Sequence, residues 1–177
     1  MKGATPPFSF SGPSGFQVLP RETFDLVVRH TPLVSFDLLV RDAQGRLLVG
    51  RRVNRPAQGA WFVPGGRIEK DERLAAAFRR ITRAELGVEI ELATTRFVGY
   101  FEHHYPDNRS GVHGFGTHYV VLAHEIVGHS LESLPTDQHA AYRWVSDAEA
   151  LADPDVHENT KAYCKHGGST AVVSKGR

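Results

Sequence analysis

Apolar residues along this chain follow two rhythms. Leu33 to Val40 and Leu47 to Val53 are near-continuous apolar runs separated by Asp42-Ala43-Gln44-Gly45, which has the composition of a tight turn. They predict a β-hairpin. The first run carries Asp37 among apolar neighbours, where a carboxylate needs a partner. The second ends in Arg51-Arg52. Arg96 to Tyr105 and Thr117 to Ile126 predict two long strands, and Trp61-Phe62-Val63 and Tyr142 to Val145 two short ones, the former stopped by Pro64-Gly65-Gly66. The other rhythm is helical. Leu74, Ala77, Phe78 and Ile81 fall at i, i+3, i+4 and i+7 and predict a helix over Glu72 to Leu86. Asp71 is its expected N-cap and Gly87 the residue just past its end. Phe24, Val27 and Val28 predict a short helix over Glu22 to Arg29, and Asp147 to Ala152 and His157 to Cys164 predict two more. Pro106 to Gly116 is polar and Gly-rich and reads as a mobile loop.

These elements sum to one α/β domain with a mostly β centre and one prominent helix. A Gly/Pro/Ser-rich leader (1–20) and a frayed tail (167–177) are expected to flank a domain over 21–166. The 177 residues match one domain of ~150 residues. The chain is 41% apolar and 23% charged, which argues against global disorder. Twenty-one Lys and Arg against 20 Asp and Glu leave a net charge of +1, so no basic field marks a nucleic-acid binder. The single cysteine, Cys164, excludes an internal disulfide and a Cys-rich zinc site. That usage fits the reducing cytoplasm. No apolar run is long enough to span a membrane.

The chemistry concentrates in Gly65 to Val88. A short strand meets two glycines and then a helix, and glycines let backbone carbonyls and amides approach a ligand closely. Glu72 opens the helix; Arg80 and Glu85 follow on it. A hard cation such as Mg²⁺ takes oxygen ligands and substrate phosphate oxygens, and one carboxylate with one backbone carbonyl is a reasonable protein share. Taken as residues alone, Glu72 and Arg80 read equally as a structural ion pair. Arg52 and Arg67 read as solvated arginines, Asp37 as a turn or cap acceptor, Tyr119 as core, and His139 as a loop histidine.

Gly66, Glu72, Arg80, Glu85, Gly87 and Val88 stand at the spacings of the Nudix box, G-x5-E-x7-R-E-U-x-E-E-x-G-U, with U a bulky apolar residue. The chain therefore resembles the Nudix hydrolase family. It departs from the box at Ile81 and Ala84, where carboxylates are usual, and at Thr82, where an apolar residue is usual. These departures resemble the GDP-mannose mannosyl hydrolase branch. So do Thr31 to Asp37, Asn54 to Arg67, Thr117 to Leu122 and Asp137 to Trp144.

The resemblance implies a Nudix fold, a mixed β-sheet sandwiched between helices, in a homodimer. It also implies hydrolysis of GDP-mannose and GDP-glucose by water attack at the anomeric carbon with inversion. The Gly65 carbonyl, Glu85 and Gln138 would hold Mg²⁺, with Mn²⁺ as an alternative. His139 would be the general base. Arg52 and Arg67 would stabilise the leaving group, and Asp37, His103 and Tyr119 would contact the sugar or diphosphate. Gly66, Glu72, Arg80 and Gly87 would be the structural part of the box. Attack at carbon makes sense of the missing carboxylates, because it needs a neutralised diphosphate rather than a metal-bound hydroxide beside phosphorus. The competing readings are a pyrophosphohydrolase of another nucleoside diphosphate derivative, which Ile81 and Ala84 oppose, and a non-catalytic nucleotide-sugar-binding module.

Overall fold

The computed structural model describes residues 19–129, 131 and 133–165. The expected tail and all but the last two residues of the expected leader lie outside them. The hairpin forms as its sequence predicts: β1 is Leu33–Arg41 and β2 Leu47–Arg52. Asp42 organises the turn, its Oδ1 accepting from the amides of Gln44 and Arg46. The two strands pair only at Arg41 and Leu47 and then part. Beyond that point β2 pairs with β3 (Trp61–Phe62) and β7 (His139–Val145). β1 pairs instead with β4 (Gly65–Arg67) on one edge and runs parallel to β6 (Thr117–Val127) on the other. β5 (Arg96–Tyr105) is antiparallel to β6. The result is a mixed seven-stranded sheet.

Helices cover both faces, and strand alternation decides what each face receives. Phe36, Leu38 and Val40 of β1 pack with Ala77, Phe78 and Ile81 of α2 (Leu74–Leu86). Leu39 packs on the opposite side with Ala150, Tyr163 and Cys164 of α3 (Asp147–Ala152) and α4 (Glu158–Lys165). Asp37 shares the parity of Leu39 and so faces the α4 side. The N-terminal helix α1 (Arg21–His30) buries only Val28. Among the described residues, no helix is long and apolar enough to cross a membrane.

Several expectations need correction. Gly65 and Gly66 do not stop the sheet but open strand β4. A Cβ at Gly65 would lie 2.5 Å from the Phe36 carbonyl oxygen, so glycine here permits a close strand approach. The main helix begins at Leu74 rather than Glu72, and Asp71 is not its cap: it precedes the cap position, in a left-handed conformation at φ +65. Arg73 is the N-cap and its side chain makes no capping bond. Leu74 is half exposed and drops out of the predicted stripe, while Ala77, Phe78 and Ile81 are buried. Gly87 does end the helix, in the left-handed conformation at φ +76. β7 begins at His139, so that histidine is on a strand rather than in a loop.

The segment 106–116 is a loop, but a tied one. Asn108 is buried and donates to the carbonyls of Val112 and Phe115. Ser110 donates to Asp25 on α1 and accepts from Arg21. The expected mobility came from composition; the pinning comes from side-chain amides and hydroxyls that composition does not reveal.

Thr82 explains one departure from the motif. Its Oγ1 accepts from the Ile90 amide at 3.0 Å and donates to the Arg79 carbonyl. Both Thr82 and Ile90 are buried. Thr82→Val keeps the shape and strands the Ile90 N–H, so unfolding in urea is expected to show a loss of ~1–3 kcal/mol. A change within error would show that this amide finds another partner.

Candidate active site

The parting of β1 from β2 leaves a cleft between them. Its outer lobe, a cavity of about 290 Å³, is lined by Gly65, Glu85, Gln138 and His139 together with Arg52, Arg67, Arg80 and Arg109. A deeper lobe of about 110 Å³ is lined by Asp37, Phe62, His103, Tyr105 and Tyr119. Arg52, Gly65, Gly66, Arg67 and Tyr119 line both lobes. Every residue singled out from the sequence as a metal ligand, base or substrate contact thus borders one continuous cleft.

The box residues hold the cleft floor. Arg80 is bidentate on Glu72, with both N···O distances at 2.7 Å, and also donates to the Arg67 carbonyl at 2.9 Å. Glu72 accepts the Glu69 amide as well. Burial by itself raises the Glu72 carboxyl, but the Arg80 and Glu69 hydrogen bonds outweigh it and hold the group below its ordinary value. Of the two readings of this pair, the bracing one is what the geometry contains. Gly66 packs on Ile81, whose Cγ1 would lie 3.1 Å from an added Cβ. Ile81 is therefore part of the core between α2 and the sheet.

Glu85 is nearly buried, and its Oε2 is 3.2 Å from His139 Nε2. His139 is 1% exposed. Its ring is pressed on Gly50, where any Cβ would collide with Nδ1, and among the described residues that Nδ1 has no hydrogen-bond partner. Gln138 is exposed, and its Oε1 accepts from Asn54 at 2.9 Å. A carboxylate, an amide oxygen and a glycine carbonyl on one cleft wall form an all-oxygen donor set, which fits a hard divalent cation. Among the described residues, no group of three or more His, Cys, Asp or Glu competes for a softer metal.

The arginines differ in how far they are already neutralised. Arg67 pairs with Glu69 at 2.6 Å and sits over the Phe24 ring. Arg80 is spent on Glu72, and Arg55, at the mouth, pairs with Asp107 at 3.2 Å. Arg52 donates to the Pro56 carbonyl and faces the Phe62 ring. Among the described residues, no carboxylate pairs with Arg52 or Arg109. Arg109 carries no signal in the sequence; the anchored loop between Asn108 and Ser110 puts it there.

In the deeper lobe, strand register brings His103 and Tyr119 directly opposite each other. His103 is buried at the lobe, whereas its neighbour His104 points to the other face and stacks on His118. Asp37 accepts a 2.6 Å hydrogen bond from the Tyr163 hydroxyl, and His103 Nδ1 is 4.0 Å from its Oδ2. Burial pushes the Asp37 carboxyl up to about 7, against Tyr163 and Arg52, which hold it down. Tyr163 is a residue that sequence reading missed, because on a short amphipathic helix it is indistinguishable from core.

A NUDIX domain model matches residues 31–165. Over 109 residues the chain is 40% identical to the low-salt glycan biosynthesis protein Agl8 of Haloferax volcanii, covering 61% of this chain and 67% of that one. Among solved structures, the MutT protein of Methanosarcina mazei superposes with a TM-score of 0.61 at 19% identity, over 77% of this chain and 93% of that one. The NUDIX domain of Shewanella oneidensis NrtR, in complex with ADP ribose, does so at 0.59 and 14%, over 84% and 97%. The two structural matches establish the fold.

Asp37 makes a testable link between the cleft and stability. Its folded value of about 7 lies above the unfolded value of 3.8. Between these the native state keeps a proton that the unfolded chain has released, so stability falls as pH rises through the window. Asp37→Asn keeps an acceptor for Tyr163 and removes the titration. The variant is expected to gain on the wild type as pH rises, by at most ~1.4 kcal/mol per pH unit. Parallel pH profiles in urea denaturation would show that Asp37 is not buried as described.

Proposed function

The chain belongs to the Nudix hydrolase superfamily, and on that premise we propose that it hydrolyses GDP-mannose, and GDP-glucose as a second substrate, to GDP and the free hexose. The observation that carries this reading is the division of the cleft. A lobe rich in guanidinium suits a diphosphate. The adjoining lobe presents one buried carboxylate, an imidazole and phenols, which suit sugar hydroxyls. The match to a protein named for glycan biosynthesis supports a nucleotide sugar over a bare nucleotide. The absence of carboxylates at Ile81 and Ala84 supports attack at carbon over attack at phosphorus.

Gly65, Glu85 and Gln138 hold the divalent ion in this proposal. Bound there, Mg²⁺ or Mn²⁺ supplies charge neutralisation for the diphosphate. Arg52, Arg67 and Arg109 bind the phosphate oxygens and stabilise the negative charge that grows as the leaving group departs. Asp37, His103 and Tyr119 hold the hexose at its hydroxyls. Water attacks the anomeric carbon from the face opposite the diphosphate, the C–O bond to GDP breaks, and the bonding pair leaves with GDP. The His139 imidazole accepts the proton of that water. In the structure this ring rests against Glu85, so the proposed base and the proposed metal ligand are held as a pair.

Two measurements test the scheme. Hydrolysis in ¹⁸O-water is expected to place the label in the hexose; label in a nucleotide phosphate, or hexose 1-phosphate among the products, overturns attack at carbon. His139→Gln is expected to lower kcat by ~10²–10⁴, the usual contribution of a general base. A variant that keeps full turnover at alkaline pH removes His139 from that role. Binding of GDP-mannose without any turnover would favour the non-catalytic reading.

A further inference from the structure

Tyr163 reaches the deeper lobe from α4, on the far side of the sheet from the Nudix box. It is 3% exposed and borders neither lobe directly. Its hydroxyl donates to Asp37 Oδ2 at 2.6 Å and lies 3.2 Å from His103 Nε2. A phenol has one proton to give, and the shorter contact takes it. The longer contact then requires His103 Nε2 to be the donor and the Tyr163 oxygen the acceptor. The hydrogen bonds run in one direction, from His103 through Tyr163 to Asp37, and fix both side chains that flank the lobe. The Tyr163 ring is itself fixed, packed edge-on against Phe101 at 4.7 Å between centroids.

The Asp37 carboxylate is tied at one oxygen and bounded by the strand at the other. Oδ2 takes the phenol proton, and Oδ1 lies on the Gly65 side, 2.9 Å from where a Cβ on that glycine would be. Only a glycine at position 65 leaves room for this oxygen beside the strand. The carboxylate cannot turn without losing the Tyr163 bond, so its second oxygen stays directed along the wall that both lobes share.

We propose that Tyr163 is a positioning residue for the hexose: it pins Asp37 Oδ2 and orders His103, so that Asp37 Oδ1 and the imidazole meet the sugar hydroxyls in one orientation. This rests on the proposed function, in which the deeper lobe takes the hexose. Among the described residues the Tyr163 hydroxyl meets Asp37 and His103, which line the deeper lobe and not the outer one, so its effect is confined to substrates that carry the sugar.

The test uses that confinement. Tyr163→Phe keeps the ring and removes the hydroxyl. With GDP-mannose and Mg²⁺, kcat/KM is expected to fall roughly ten- to hundredfold, the scale of a lost hydrogen bond to a charged group. The dissociation constant of GDP, which lacks the hexose, is expected to stay within about twofold, since the hydrogen-bond partners of Tyr163 do not line the outer lobe. Unchanged turnover overturns the proposal, and so does an equal loss of turnover and GDP binding, which would mark a general structural role. Asp37→Asn with and without Tyr163→Phe supplies a second check. If Tyr163 acts through Asp37, the two losses are strongly non-additive; additive losses overturn the proposal. Wild-type protein that releases no free hexose overturns the proposed function. A wild type that does release it and a Tyr163→Phe variant that matches it overturn the role of Tyr163 alone.

Discussion

The arrangement of this cleft depends on how closely β4 lies against β1. Gly65 pairs with Asp37 at a separation that no side chain on residue 65 could share. That approach does three things together. It turns the Gly65 carbonyl and its strand into one wall of the cleft. It closes one side of the space around the Asp37 carboxylate. It also occupies the β1 edge that β2 has left, so the hairpin can open without exposing an unpaired strand. The glycine doublet is therefore a sheet-packing device first, and its service to a ligand follows from that.

The second constraint is ionic. Loop 68–73 would have little to hold it, since Glu72 precedes the helix rather than opening it and Asp71 is left-handed. Arg80 supplies the hold, gripping the Glu72 carboxylate with two nitrogens and the Arg67 carbonyl with one of them. A bidentate guanidinium fixes direction as well as distance. The loop, the strand before it and the helix after it thus become one rigid piece, and Glu85, less than two turns further along that helix, inherits its position.

Much of this was legible in the sequence. Apolar runs and turn residues place the hairpin and both long strands, and the box spacing collects Gly66, Glu72, Arg80 and Glu85. What stayed illegible has a common cause. Gly65 was read as punctuation because a glycine that relieves a clash and a glycine that makes a turn look the same in one dimension. Thr82 looked like a defect because its hydrogen-bond partner, Ile90, lies beyond the end of the helix. Arg109 sat in a stretch whose composition suggested mobility, while its order comes from Asn108 and Ser110. Tyr163 is hidden most completely, since its partner lies on a strand 126 residues away in the sequence.

That last separation bears on how the protein comes to be functional. The bond from Tyr163 to Asp37 closes a span of 126 residues. Contacts of such long range carry a large loop-closure cost and form only after more local structure has reduced it. The hairpin, the box helix and the β5–β6 ladder can therefore assemble while the deeper lobe still lacks the phenol that orders it. The docking of α4, whose eight residues lie outside the box, is thus what completes the deeper lobe.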